Sequence, residues 1–272
     1  VELIHNFILI HDDIIDKSDL RRGKLSSHAF YNGYLSNYKN IKFSGQDLAL
    51  VTGDVLYSLA IEIYLSINEN PSRKELGLKK MMETAAFTGC GQFKELLLGI
   101  KTIDKITEKE ILKICDFKTA LYTFCAPLTI GAILAGAKNR EISILHDFGI
   151  YLGRAFQLKD DILGIFGDKN KTGKPVLTDI QESKKTLLIY NAYKNSPLKD
   201  KSAIKKILTK KIVNTADLYQ IKDIIIRSKS LAYTLNKISE LKNLSLDIIK
   251  KSKMKPSYKS LIIKHTDQLL EV

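Results

Sequence analysis

The sequence predicts an all-α protein, a bundle of helices around a central cavity, and three observations predict it. Apolar residues recur at helical spacing along most of the 272 residues, and the alternation typical of half-buried strands is absent. Helix punctuation is in place, most clearly in the capping box Thr107-x-x-Glu110. Two aspartate clusters, Asp12-Asp13-Ile14-Ile15-Asp16 and Asp160-Asp161-Ile162-Leu163-Gly164, each lie in an apolar, helix-compatible stretch. Charge there is costly unless something binds it, and two such helices facing one cavity give that charge a purpose.

The elements follow in order. Glu2 to Asp16 is the first helix. Gln46 to Ile67 and Leu76 to Leu98 are apolar at helical spacing, and Gly89 and Gly91 allow the latter to pack closely. The helix capped at Thr107 is expected to continue past Lys118 and to be kinked or interrupted by Pro127, which lacks an N–H and crowds the preceding turn. Ile142 to Phe166 carries the second cluster and runs into a loop, Lys169 to Pro175. A helix over Asp179 to Lys194 follows, then amphipathic, lysine-faced segments at Ala203 to Ile212, Ala216 to Leu241 and Tyr258 to Leu270. No Pro/Gly/Ser-rich linker, repeat or low-complexity tract divides the chain, so one domain over residues 1–272 is expected.

Composition narrows the class. The net charge of +13 comes mostly from lysine scattered along the chain and densest from Lys199 to Lys255. Lysine, isoleucine and asparagine are abundant together, as AT-rich codon usage also produces, so no nucleic-acid partner is expected. The longest apolar stretch, around Leu128 to Ala137, falls far short of the ~20 residues that span a bilayer, so no stable membrane insertion is expected. Cys90, Cys115 and Cys125 lack metal-ligand spacing and read as spectators in a reducing cytoplasm.

The chemistry lies in the acidic clusters and the cations after them. Asp12 and Asp16 stand at i and i+4, which puts both carboxylates on one helix face, while Asp13 points about 100° away. Like charges at that spacing repel mildly and call for a cation. Hard oxygen ligands suit Mg²⁺, which is commonly held by a few carboxylates and by substrate phosphates. Arg21-Arg22-Gly23 follows directly, in a chain with only 6 arginines among its 43 basic residues. Arginine's planar fork matches phosphate oxygens. Lys174, between Gly173 and Pro175, and Lys184 could add cationic donors beside the second cluster. Taken singly, a charged helix end or a solvated lysine explains each feature. Together they read as a helical enzyme gripping a diphosphate through magnesium.

These motifs resemble the trans-polyprenyl diphosphate synthase family, the farnesyl and geranylgeranyl diphosphate synthases. His5 through Asp16 to Arg21-Arg22-Gly23 is similar to that family's first aspartate-rich motif with its arginine pair. Lys118-Thr119-Ala120 resembles its Lys-Thr element, and Phe156-Gln157 to Asp161, Gly173-Lys174-Pro175 and Asp179 to Lys184 its second aspartate-rich region. Gly53-Asp54 and Gly91-Gln92 fall where the family has such dipeptides. The resemblance implies the isoprenoid synthase fold and elongation of an allylic diphosphate by isopentenyl diphosphate to a short-chain (C15–C20) product of geranylgeranyl type. It implies a set of three Mg²⁺ ions bridging the allylic diphosphate, with Asp12, Asp16 and Asp160 as ligands. Arg21, Lys118, Lys174 and Lys184 would hold the diphosphate, Thr119 and Gln157 would face it and the developing cation, and His5 and Arg22 would contact isopentenyl diphosphate. Phe7 and Ile8, before Asp12, would set product length, Phe7 as floor. A homodimer is also implied.

Three departures stand out. Gly164 replaces a third aspartate, Leu25 replaces the proline usual after the arginine pair, and the chain opens at Val1 inside the first motif's helix. A fragment, or one half of a split gene, is therefore expected, lacking part of the isopentenyl diphosphate site. A catalytically incomplete or regulatory partner of a heteromeric synthase is the alternative. A terpene cyclase, whose second metal site mixes Asn, Ser or Thr with Glu, and a metal phosphohydrolase around His11-Asp12 fit less well.

Overall fold

The computed structural model describes residues 1–167 and 178–271. Its first helix, α1, spans Glu2–Ile15. Two short strands follow, Leu20–Arg21 (β1) and Lys24–Leu25 (β2), paired antiparallel. Arg22 and Gly23 form the turn, with φ of 52° and 76°. Both central residues are thus left-handed, as a two-residue hairpin turn matched to strand twist requires, and glycine takes the second place at no steric cost. A short helix absent from the sequence reading, α2 (Ser27–Leu35), packs with α3 (Gly45–Leu65).

The helix α4 (Pro71–Ile100) starts where Asn70 caps it and proline occupies the first turn. The expected capping box opens α5 (Glu108–Cys115), with Thr107 and Glu110 bonding each other's backbone N–H. Beyond it the hydrogen bonding widens into a π-helical segment, Asp116–Cys125, and returns to α-helix in α6 (Ala126–Leu134). Pro127 lies in the first turn of α6, so the interruption precedes the proline and spans Lys118. The helix α7 (Asn139–Phe166) carries the second aspartates.

After the undescribed stretch come α8 (Thr178–Gln181), α9 (Leu187–Asn195), α10 (Leu198–Leu208), α11 (Thr215–Arg227), α12 (Ser230–Lys251) and α13 (Pro256–Leu270). Two predicted helices are therefore divided. Asp179 to Lys194 breaks at residues 182–186, and Ala216 to Leu241 breaks at Ser228 and Lys229, where Lys229 has φ 59°.

One apolar core centres on α7. Phe148, Leu152, Leu158 and Ile165 pack with Leu188, Ile204, Ile224 and Ile238 of the C-terminal helices. At roughly 1.5–3 kcal/mol for each fully buried aliphatic or aromatic side chain, this core dominates the energetics that hold α7 in place. A smaller cluster, Ile4, Ala60, Tyr64, Met81, Ala126 and Ile130, ties α1, α3, α4 and α6 together below Asp12. The first acidic motif is thus mounted on one packed unit and α7 on the other, with the Lys118 segment packed between α4 and α7.

One expectation needs correction. Gly45–Leu65 and the continuous stretch Glu108–Leu134 are long and apolar enough to cross a membrane by length and composition. Reading unbroken apolar runs overlooked them because isolated polar residues interrupt both.

Candidate active site

The helix α1 presents Asp12 and Asp16 on one face and turns Asp13 inward, where it is buried. Asp13 grips Arg21 in a fork: Arg21 Nε donates to both carboxylate oxygens at 2.9 and 2.8 Å, and Nη2 donates to Oδ1 at 2.6 Å. The same Nη2 lies 3.4 Å from Asp12 Oδ2. Burial pulls the Arg21 guanidinium down, and Asp13 more than offsets it. Arg21 therefore pins the hairpin to α1 and reaches the cleft only past Asp12. Arg22 is exposed at the hairpin turn, without an ion-pair partner among the described residues. His5, half-buried beside Tyr122, is held below the usual histidine range by burial and by the charges of Arg22 and Arg21.

Two lysines stand between the carboxylates. Lys118 Nζ lies 2.5 Å from Glu95, 3.1 Å from Asp12 and 4.0 Å from Asp16. Lys184 Nζ lies 2.8 Å from Glu182, 3.2 Å from Asp179 and 3.4 Å from Asp16. Burial disfavours charge on both ammoniums, but the surrounding carboxylates outweigh it and raise both. Burial likewise pushes Asp12 up, while Lys118, Lys184 and Arg21 together hold its carboxyl low. Lys185, itself buried, donates to the Gly99 carbonyl at 2.5 Å and the Ser183 carbonyl at 3.2 Å, which anchors residues 182–186 to the end of α4.

A second line of polar contacts joins the π-helical segment to α7. Thr119 Oγ1 donates to Gln157 Oε1 at 2.5 Å, and Gln157 Nε2 donates to Asp161 Oδ1 at 2.9 Å. Asp161 is buried, and burial pushes its carboxyl well up. Asp160, its neighbour, is exposed, about 100° further round α7. Thr119 and Gln157 are thus adjoining groups, joined through Gln157 to Asp161, while Lys174 lies outside the described residues.

Glycines make the close approach possible. A Cβ at Gly91 would lie 2.8 Å from the Lys118 backbone nitrogen, and one at Gly153 would lie 2.4 Å from Ala120 Cα. Gly89, expected to pack closely, faces open space. Arg154 and Asp116 close the start of the segment with paired bonds of 2.6 and 2.8 Å. Gly53 leaves room for the His11 ring. Phe7 turns toward α3, its ring 4.6 Å from His11 and 5.0 Å from Tyr57, whereas Ile8 packs on the apolar cluster below Asp12.

The sequence reading missed Glu95, Asp179 as a partner of Lys184, and Glu182, whose carboxyl burial raises to about 7. Glu95 stands one turn after Gln92 on α4, and that spacing was the available signal. Among the described residues, no three His, Cys, Asp or Glu groups are drawn together closely enough to hold a metal by themselves. The site nonetheless suits Mg²⁺. Its charged donors are carboxylates on several elements, and buried Gln92 Oε1 lacks a hydrogen-bond donor. Mg²⁺ keeps waters and takes one or two carboxylates with substrate phosphates, so it needs no closed protein cage.

The comparisons agree with this geometry. The chain is 31% identical over 236 residues to the geranylgeranyl diphosphate synthase of Sulfolobus acidocaldarius, a match covering 87% of this chain and 67% of that protein. It is 34% identical over 208 residues to the short chain isoprenyl diphosphate synthase of Methanothermobacter thermautotrophicus, covering 76% and 59%. The crystal structure of a geranylgeranyl pyrophosphate synthase from Corynebacterium glutamicum, complexed with isoprenyl diphosphate and magnesium, superposes with a TM-score of 0.91. It shares 26% identity, over 99% of this chain and 76% of that one. Residues 1–225 match the family described as polyprenyl synthetase. With Asp12 and Asp16 of α1 joined through two lysines to acids of other elements, and matches running through most of its length, the chain belongs to the polyprenyl synthetase family of prenyltransferases.

Proposed function

We propose that the chain is a magnesium-dependent trans-prenyltransferase that condenses isopentenyl diphosphate with an allylic diphosphate to a short-chain product of the geranylgeranyl type. The observation that carries this reading is the position of Lys118 and Lys184, each shared between Asp16 and acids on other elements. A diphosphate headgroup with its metal fits such a site, because both ammoniums are already balanced by carboxylates that a metal can take over.

Allylic ionisation needs a leaving group whose charge is neutralised without bulk water. Bound Mg²⁺ supplies that Lewis acidity, with Asp12, Asp16 and Asp160 as its ligands. Lys118 and Lys184 then turn from their carboxylates to phosphate oxygens as charge-assisted donors, and Arg21 adds to them from beside Asp12. Thr119, Gln157 and the carbonyls of the π-helical segment face the developing cation. His5 and Arg22, whose charge helps hold the His5 imidazole low, bind isopentenyl diphosphate from the hairpin side. The three free cysteines suit a reducing compartment, and we place the activity in the cytoplasm.

The second reading is a catalytically incomplete or regulatory partner subunit of a heteromeric synthase; the chain spans 67% and 59% of the length of these two relatives. Calorimetry with a non-ionising thiolo analogue of farnesyl diphosphate separates the two. Binding that is lost in chelator and in Asp12→Ala is expected of the enzyme. A folded chain that binds nothing speaks for the partner subunit.

A further inference from the structure

We propose that α2 and the segment after it form a docking surface for the face of an anionic lipid bilayer. Residues 20–46 hold five cations, Arg21, Arg22, Lys24, Lys39 and Lys42, and no carboxylate, in a chain that carries 30 acids among its 272 residues. The flanking acids are committed: Asp19 lies 3.4 Å from His28, and Asp47 accepts from Ser44 Oγ at 2.6 Å. Arg21 is held by Asp13, whereas Arg22, Lys24, Lys39 and Lys42 are exposed and form no ion pair among the described residues. The helix α2 turns His28 and Leu35 inward and leaves Phe30 and Tyr34, one turn apart, 59% and 54% exposed. Tyr38 extends that row. Its ring centroid lies 5.3 Å from that of Tyr34, and the two hydroxyls share a 2.8 Å hydrogen bond. Ile41 and Phe43 follow, both exposed.

A row of exposed apolar side chains marks a surface that something covers, and here the cover must also accept positive charge. A bilayer interface does both. Phenyl and aliphatic groups enter the acyl boundary, tyrosine rings lie at headgroup depth with their hydroxyls in water, and lysine ammoniums reach the anionic headgroups. A second copy of the chain fits less well, because a two-fold contact through this surface would set its cations against the same cations. With nine residues, α2 is far too short to span a bilayer, so the chain lies on the membrane and does not cross it here. Docking does not depend on the catalytic reading, because it is measured without substrate.

Co-sedimentation of the full chain with lipid vesicles tests this. Vesicles of phosphatidylcholine with about one-third phosphatidylglycerol should bind the chain at low salt, and pure phosphatidylcholine at least about tenfold more weakly. Added salt should lower the affinity by screening the cations. Lys39→Gln with Lys42→Gln should weaken binding by about thirtyfold, and Phe30→Ser with Tyr34→Ser by about tenfold or more. Lys199→Gln with Lys211→Gln removes equal charge from exposed lysines of the C-terminal half and should leave binding within about twofold. Circular dichroism verifies folding, and sedimentation velocity follows the oligomeric state. No binding by the folded parent, or equal binding to both kinds of vesicle, overturns the proposal. So does an equal loss in the Lys199 and Lys211 variant, which would assign binding to net charge alone. Folded variants of the surface that bind like the parent overturn it as well. If Phe30→Ser with Tyr34→Ser changes the oligomeric state, the surface is a contact between copies and the proposal falls.

Discussion

Phe7 and Ile8 are adjacent in sequence, yet they meet different surroundings. A helix separates neighbours by about 100°, so Ile8 shares the inward face with Ile4 and Asp12 while Phe7 lies on the side toward α3. Phe7 is wedged between His11 and Tyr57, and His11 in turn leans on the surface opened by Gly53. Removing the Phe7 ring frees volume one turn below Asp12. Phe7→Ala is expected to yield a product at least one isoprene unit longer, at a stability cost of up to about 3 kcal/mol. Product chromatography decides it, and an unchanged chain length would remove Phe7 from any role as floor. The residue scale also shows why some assignments could be read and others not. Asp12, Asp16 and the arginine pair stand out because their neighbours are apolar or their type is rare. Glu95, Glu182 and Asp179 sit in ordinary polar sequence, and only the folded chain brings them to Lys118 and Lys184.

Among the elements, helix starts were the most legible, since the capping box at Thr107 and Glu110 is a local device. Breaks were less so. The turn at residues 182–186 is held by Lys185 reaching the end of α4, a contact 86 residues away in sequence, so no local pattern marks it. The π-helical segment is similar. Its register depends on Gly91 and Gly153 letting α4 and α7 approach the backbone on either side. A methyl at Gly91 meets backbone that cannot step aside. Gly91→Ala is expected to cost about 1–3 kcal/mol and to weaken binding of the thiolo analogue by shifting Lys118. Gly89→Ala, two residues away in open space, is expected to raise stability by about 0.5–1 kcal/mol. Paired urea titrations check both, and a Gly91→Ala as stable as its parent would rule out the clash.

For the whole molecule, the all-α class was legible because helical periodicity persists through the chain. The outer surface was not, since exposed and buried apolar faces share one period. Val51, Val55, Leu59 and Ile63 form an exposed stripe along α3, and Phe93, Leu96, Leu97 and Ile100 form another at the end of α4. We propose that a second copy of the chain covers them, which also accounts for the spanning-length apolarity of α3 without a membrane. Sedimentation should show a dimer that Val55→Lys with Leu59→Lys converts to monomer. A monomeric parent would refute this.

The two lysines shared among carboxylates have one more consequence. On the proposed function, a diphosphate arriving alone meets the acids around the lysines, and a cation arriving alone must displace an ammonium held by several carboxylates. Each ligand removes the obstacle to the other. Their affinities are therefore linked, and linkage is reciprocal: whatever factor magnesium gives to diphosphate binding, diphosphate returns to magnesium. On the proposed function, the site acts as a coincidence detector, weak for either half of its cargo and tighter for both together.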